Sequence, residues 1–185
     1  MLTVKLSGLA LIAALMSPTL INAEDAMIQF PVSDPSQWDY FSDQVMGGVS
    51  EGRASFEKSG AQTILRLTGT VSTANRGGFI QARTTLDAPL PSNAKGIVME
   101  VRGNNEPYYI HLRTSGTVLP WQFYQAPFKA PDTWQEVRIP FTEFSPYGGL
   151  LRQSFDVQKI RSVAVVAFGK DYTADLSVRA IGVYD

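Results

Sequence analysis

The strongest constraint on this chain is that, from Ser50 onward, no window sustains apolar residues at helical spacing for three turns. Short apolar or alternating runs follow one another instead, separated by Gly, Pro and Asn. The pattern predicts strands over Gly52–Lys58, Gln62–Gly69, Gly78–Leu86, Gly96–Gly103, Tyr108–Thr114, Trp121–Phe128, Trp134–Phe141, Ile160–Phe168 and Asp175–Tyr184, with Met27–Val32 as a leading edge strand. Nine or ten strands imply two sheets, so the expected class is an all-β sandwich. The breaks at Pro89 and Pro91, Asn104 to Pro107, Pro131-Asp132 and Pro146 to Gly149 fall between the runs, where residues that cannot join a ladder belong. Phe141–Ser145 reads as a single helical turn.

Strand alternation sorts the side chains into faces. Ile110 and Leu112 oppose Tyr109, His111 and Arg113; Met99 and Val101 oppose Glu100 and Arg102; Ile80 and Ala82 oppose Gln81 and Arg83; Val137, Ile139 and Phe141 oppose Trp134, Glu136 and Arg138. Ile160–Phe168 is apolar at both parities and is expected to be a central strand covered on both sides. If these strands are neighbours in one sheet, Gln81, Arg83, Glu100, Arg102, Tyr109, His111, Arg113 and Tyr124 form one polar lattice. Such a lattice has two uses. Aromatic area and forked arginine donors suit ligand binding, while opposite charges on adjacent strands stabilise a solvated face by roughly 0.2–1 kcal/mol per pair.

The run from Trp38 to Ser50 has an aromatic cluster leading through Asp39 and Asp43 into Met46-Gly47-Gly48, and reads as a shaped loop. Gly47 and Gly48 permit positive φ and close backbone approach, and Asp43 can hold the turn by accepting from nearby amides. Either the segment is a structural plug or it presents a surface to a partner.

At the N-terminus Lys5 precedes an apolar stretch from Leu6 to Met16, then Ser17-Pro18 and a small residue at Ala23. Residues 1–23 therefore read as a secretory signal peptide cleaved near Ala23, leaving residues 24–185 as one sandwich domain, periplasmic or secreted. The apolar core falls short of the ~20 residues needed to span a bilayer, so stable membrane insertion is not expected. The chain has no cysteine, which excludes disulfides, thiol catalysis and a lipid-bearing thiol. Loss of residues 1–23 removes one base and no acid, moving the formal charge from −1 to −2, so nucleic acid is not an expected partner.

Little in the sequence supports catalysis. His111 is the only histidine, with no nucleophile-elbow sequence to accompany it, and a zinc site with one His and no Cys departs from the usual ligand sets. It is expected to be a half-exposed strand residue. Gly77-Gly78 opens a strand and lacks the helix and spaced glycines of a phosphate site. Asp39, Asp43, Asp171 and Asp175 are loop acids able to contribute to a calcium shell, without the spacing of an EF-hand. No catalytic residue, metal ligand or cofactor is expected. Trp38, Trp121 and Trp134 suit either sugar stacking or core packing.

Taken in order, Ser42 to Ser50, Gly77-Gly78-Phe79-Ile80-Gln81-Ala82-Arg83-Thr84, Tyr108 to Thr114 and Trp134 to Phe141 resemble the complex I intermediate-associated protein 30 family over most of residues 24–185. The resemblance implies a galactose-binding-like jelly roll related to certain carbohydrate-binding modules, and a non-catalytic role. Its mitochondrial members act as assembly factors or chaperones for respiratory complex I, whereas this chain carries an export signal. The leading expectation is an exported binding protein that uses Asp43, Met46, Gly47 and Gly48 with the adjoining polar face to hold a protein client. The alternative is a carbohydrate-binding module with Tyr109, Trp121 and Tyr124 as stacking rings.

Overall fold

A computed structural model describes residues 28–185; the expected signal peptide at residues 1–23 lies outside the described residues. Twelve strands are present in that span: β1 Ile28–Gln29, β2 Trp38–Ser42, β3 Glu51–Ser59, β4 Gln62–Val71, β5 Phe79–Thr85, β6 Gly96–Gly103, β7 Pro107–Thr114, β8 Phe123–Lys129, β9 Gln135–Pro140, β10 Ser145–Tyr147, β11 Ile160–Phe168 and β12 Tyr172–Tyr184. They form two six-stranded antiparallel sheets. The back sheet runs β3-β4-β12-β6-β9, with β1 beside the end of β12, and the front sheet runs β10-β8-β7-β11-β5-β2.

Alternation dictates the core between them. Leu65, Leu67, Met99, Val101, Leu176 and Ile181 of the back sheet meet Ile80, Ala82, Ile110, Leu112, Val163 and Val165 of the front sheet, all essentially solvent-free. Each such side chain contributes about 1.5–3 kcal/mol relative to exposure. A polar tie links the two sheets: the buried Tyr108 of β7 donates its hydroxyl to Asn104 Oδ1 (2.6 Å) and accepts from the Asp175 amide of β12 (2.9 Å). Burial pushes that phenol up to about 12.

Several expectations change. Trp38–Ser42 is a strand at the edge of the front sheet, paired with β5 from Trp38↔Thr84 to Ser42↔Ile80. Trp38 packs inward while Asp39 and Phe41 face outward, an alternation hidden in the sequence by the crowd of aromatics. Pro146-Tyr147, expected as a break, belongs to the short edge strand β10 on β8. The helical turn after β9 is a 3-10 turn over Phe141–Glu143. β11 lies inside the front sheet between β7 and β5. β6 crosses to the back sheet after the Pro89/Pro91 segment, so Glu100 and Arg102 do not share a face with Gln81 and Arg83.

Candidate functional site

The outer face of the front sheet holds a groove of about 880 Å³. Its origin lies in a register row. Arg83 of β5, Ala164 of β11, His111 of β7 and Gln125 of β8 stand side by side across four strands. Ala164 and its neighbour Ser162 are small, whereas the flanking strands carry Gln81, Arg83, His111 and Arg113, so the central strand becomes a trough between long side chains.

One wall is the Asp43–Met46 turn following β2, and its anchor is Asp43. The side chain is wholly buried. Its carboxylate accepts from the Ser50 amide (2.9 Å), the Ser50 hydroxyl (2.5 Å), and the Gly78 (2.5 Å) and Phe79 (3.2 Å) amides. Burial alone would raise its pKa; the hydrogen bonds from Ser50, Gly78 and Phe79 outweigh it and hold the acid below its ordinary 3.8. Two glycine pairs of the sequence, Gly47-Gly48 and Gly77-Gly78, close around this group. A Cβ on Gly48 or on Gly77 would land on the Asp43 carboxyl, and Gly47 ends the turn at φ +87, donating to the carbonyls of Asp43 and Gln44. With the backbone pinned from inside, Val45 and Met46 project into water at 71% and 56% exposure, and Arg76 stands beside them on the same rim at φ +61.

The opposite wall comes from the β7–β8 loop and β10. Buried Gln122 accepts from the Val118 and Leu119 amides (both 3.0 Å) and donates to the Gly149 carbonyl (3.1 Å), stapling the two segments together. Arg113 donates to the carbonyls of Thr117 (3.1 Å) and Leu119 (3.0 Å), which fixes the loop that carries Trp121. Trp121 is 51% exposed on the rim. Below it, His111, Phe123 and Tyr147 form a parallel stack with centroid spacings of 3.8 and 4.7 Å, and Phe168 meets each ring edge-on.

His111 is therefore a floor ring rather than the half-exposed residue expected from alternation. It is 7% exposed, and burial pushes its pKa down to about 3, so it is neutral at physiological pH. Phe123 and Phe168 cover it. Its Nε2 has no hydrogen-bond partner among the described residues, so no hydroxyl or carboxylate is joined to it there as a triad requires. Arg83 lies with its guanidinium 4.1 Å from the Phe41 ring centre. Burial, and then the charge of Arg113, lower its pKa, with Asp39 opposing in part.

Of the residues singled out from sequence, Met46, Gln81, Arg83, His111 and Arg113 line the groove. Asp43, Gly47 and Gly48 build its wall from behind. Tyr109 shares the face, its ring edge-on to Phe168. Tyr124 does not belong to the lattice. Its parity in β8 turns it into the core at 3% exposure, where it packs against Phe155 and donates to the Arg152 carbonyl. Glu100 does not belong either; on the back sheet it pairs with Arg179, whose guanidinium lies over Trp134. Phe41, Phe79, Phe123, Tyr147 and Arg76 line the groove without having been singled out. Among the described residues no three His, Cys, Asp or Glu side chains gather to hold a metal ion. The acids expected in loops are dispersed, and two lie in strands: Asp39 in β2 and Asp175 in β12, where it accepts from Arg66, while Asp171 accepts from Thr73.

The fold is similar to that of the family 11 carbohydrate-binding module from a cellulosomal cellulase of Clostridium thermocellum, with a TM-score of 0.65 and 14% identity over 80% of this chain and 87% of that one. The same family 11 module in complex with a beta-1,3-1,4-mixed-linked tetrasaccharide gives a TM-score of 0.64 at 13% identity, over 80% and 88%. The solution structure of CtCBM11 gives 0.66 at 12% identity, over 89% and 98%. At these identities the likeness is one of fold, a two-sheet jelly roll of the galactose-binding-like type. No curated protein sequence is similar enough to count as a match. The profile of the complex I intermediate-associated protein 30 (CIA30) family matches residues 28–177, and the chain belongs to that family.

Proposed function

We propose that this chain is a non-catalytic binding domain that holds an extended segment of a protein client in the front-sheet groove, in the manner of an assembly factor. The observation that carries this reading is the pairing of rims. Val45 and Met46 on one wall and Trp121 on the other stand exposed beside the aromatic stack of His111, Phe123 and Tyr147. Exposed apolar side chains rimming a groove favour a partner that brings apolar side chains of its own, and Met, Trp and Arg are enriched where proteins meet. Family membership supports the same direction.

A peptide array of randomised sequences tests it. Wild type should retain a subset of peptides, and Trp121→Ala together with Met46→Ser should release them while the domain keeps its thermal stability. Retention that is absent, or equal in both proteins, contradicts the reading. A second reading is favoured by a separate observation: Trp121 and Tyr147 present open ring area on one wall, and the fold is that of carbohydrate-binding modules. A glycan array followed by titration calorimetry separates the two, since a sugar ligand would bind with heat and lose affinity in Trp121→Ala.

We propose further that the chain is exported, a reading supported by the charged start, short apolar core and small residue at Ala23. Mass spectrometry of protein recovered from the periplasm or medium should find an N-terminus near Glu24. An intact residue 1–23 segment in that fraction would contradict it.

A further inference from the structure

The groove carries charge of one sign only. Arg76, Arg83 and Arg113 line it, and no Asp or Glu does, although the chain as a whole has 17 acids against 16 bases. Arg113 and Arg83 differ in how they are engaged. Arg113 spends Nη2 on the Thr117 and Leu119 carbonyls. Arg83 rests its guanidinium on Phe41, yet its Nε has no hydrogen-bond partner among the described residues. A guanidinium held near a like charge, part-buried and with its Nε unpartnered, is an unfavourable arrangement for the free domain. It becomes favourable when a planar anion enters and accepts from the fork.

We propose that Arg83, flanked by Arg113 and with Gln81 two residues along the same strand face, is a carboxylate subsite that selects an aspartate or glutamate side chain of the client segment held in the groove. This rests on the protein-client reading above. The acidic residue is buried between the apolar rims, so the preferred segment has an acid embedded among large apolar residues. A peptide is favoured over an acidic polysaccharide because the groups nearest Arg83 on its own side of the groove, Val45 and Met46 on the wall after β2 and Phe79 on β5, would pack against apolar side chains and offer no side-chain partner to the many hydroxyls of a sugar.

The probe is a set of fluorescent peptides of one apolar-aromatic sequence, taken from the array, that differ at a single position: Glu, Gln or Lys. Anisotropy is read with wild type, Arg83→Met and Arg83→Lys, beside polygalacturonate as an acidic glycan. Wild type should prefer Glu over Gln by roughly tenfold or more, a preference that weakens with added salt. Arg83→Met, which keeps the aliphatic stem on Phe41, should abolish that preference without lowering the melting temperature. Arg83→Lys should keep only part of it, having charge without the fork. Peptides that bind equally with Glu and Gln overturn the subsite while leaving the protein-client reading standing. Polygalacturonate binding that depends on Arg83, with no peptide bound, overturns both.

Discussion

Replacing Asp43 should damage the domain more than any other single change at the groove. The carboxylate accepts three backbone amides, from Ser50, Gly78 and Phe79, and the Ser50 hydroxyl. The hydroxyl has a second acceptor in the Ser72 carbonyl at 3.3 Å, so the three amides set the magnitude. A buried donor left without an acceptor costs about 1–3 kcal/mol, and water entering the vacated space offsets part, which gives about 3–5 kcal/mol for Asp43→Ala. That is a large fraction of the 5–15 kcal/mol typical of a whole domain. Asp43→Asn keeps an oxygen toward the Ser50 hydroxyl, Gly78 and Phe79 but turns an amide group onto the Ser50 N–H, so it should cost less, about 1–3 kcal/mol.

The pH dependence has a definite sign. The folded pKa of Asp43 lies below its ordinary 3.8, so its contribution is fully present above the unfolded value and is lost as pH falls through the folded one. Urea unfolding followed by tryptophan fluorescence, at neutral pH and across the acid limb, measures both effects. Wild type should lose stability on acidification below about pH 4 more steeply than Asp43→Ala. An alanine variant within about 0.5 kcal/mol of wild type, or with the same acid limb, would refute the role assigned to this carboxylate.

Three further outcomes are expected. His111 titrates near 3 when folded against 6.5 when unfolded, so the unfolded chain takes up the proton first; stability should fall by about 2 kcal/mol between pH 7 and pH 5, and His111→Phe should remove that slope in denaturation curves. Gly48→Ala drives a methyl into the Asp43 carboxyl, whereas Gly47→Ala meets open space and strains only a φ of +87, so melting should show Gly48→Ala as the worse of the two. Glu100→Ala leaves the part-buried Arg179 unpaired on the back sheet, lowering stability by about 1–3 kcal/mol while groove binding measured by anisotropy stays unchanged.

Most of the strand pattern was legible because period-2 alternation is a local property: Ile110 and Leu112 against His111 and Arg113 needs no knowledge of the rest of the chain. Sheet membership is not local. Glu100 and Arg83 lie on strands adjacent in sequence, but β6 crosses the sandwich, and nothing in alternation encodes the crossing. Tyr124 shows a second limit. Both parities of β8 carry an aromatic, Phe123 and Tyr124, so the pattern does not say which faces the core. The turn-holding role of Asp43 could be read from its neighbours, while its grip on Gly78 and Phe79 depends on contacts 35 and 36 residues away. His111 looked exposed because only the folded chain brings Phe123 and Phe168 over it. The trough itself had a faint signal in Ser162 and Ala164, small residues on the outward parity of an otherwise bulky strand.

The proposed binding surface is the front-sheet groove built on the Asp43 anchor. Backbone amide NMR of the labelled domain, titrated with the tightest peptide or glycan from the arrays, locates the surface residue by residue. Shift changes should be confined to Val45 to Gly48, Arg76 to Arg83, His111 to Arg113 and Trp121 to Phe123. Changes centred instead on Arg102, Trp134 and Arg179 of the back sheet would contradict it.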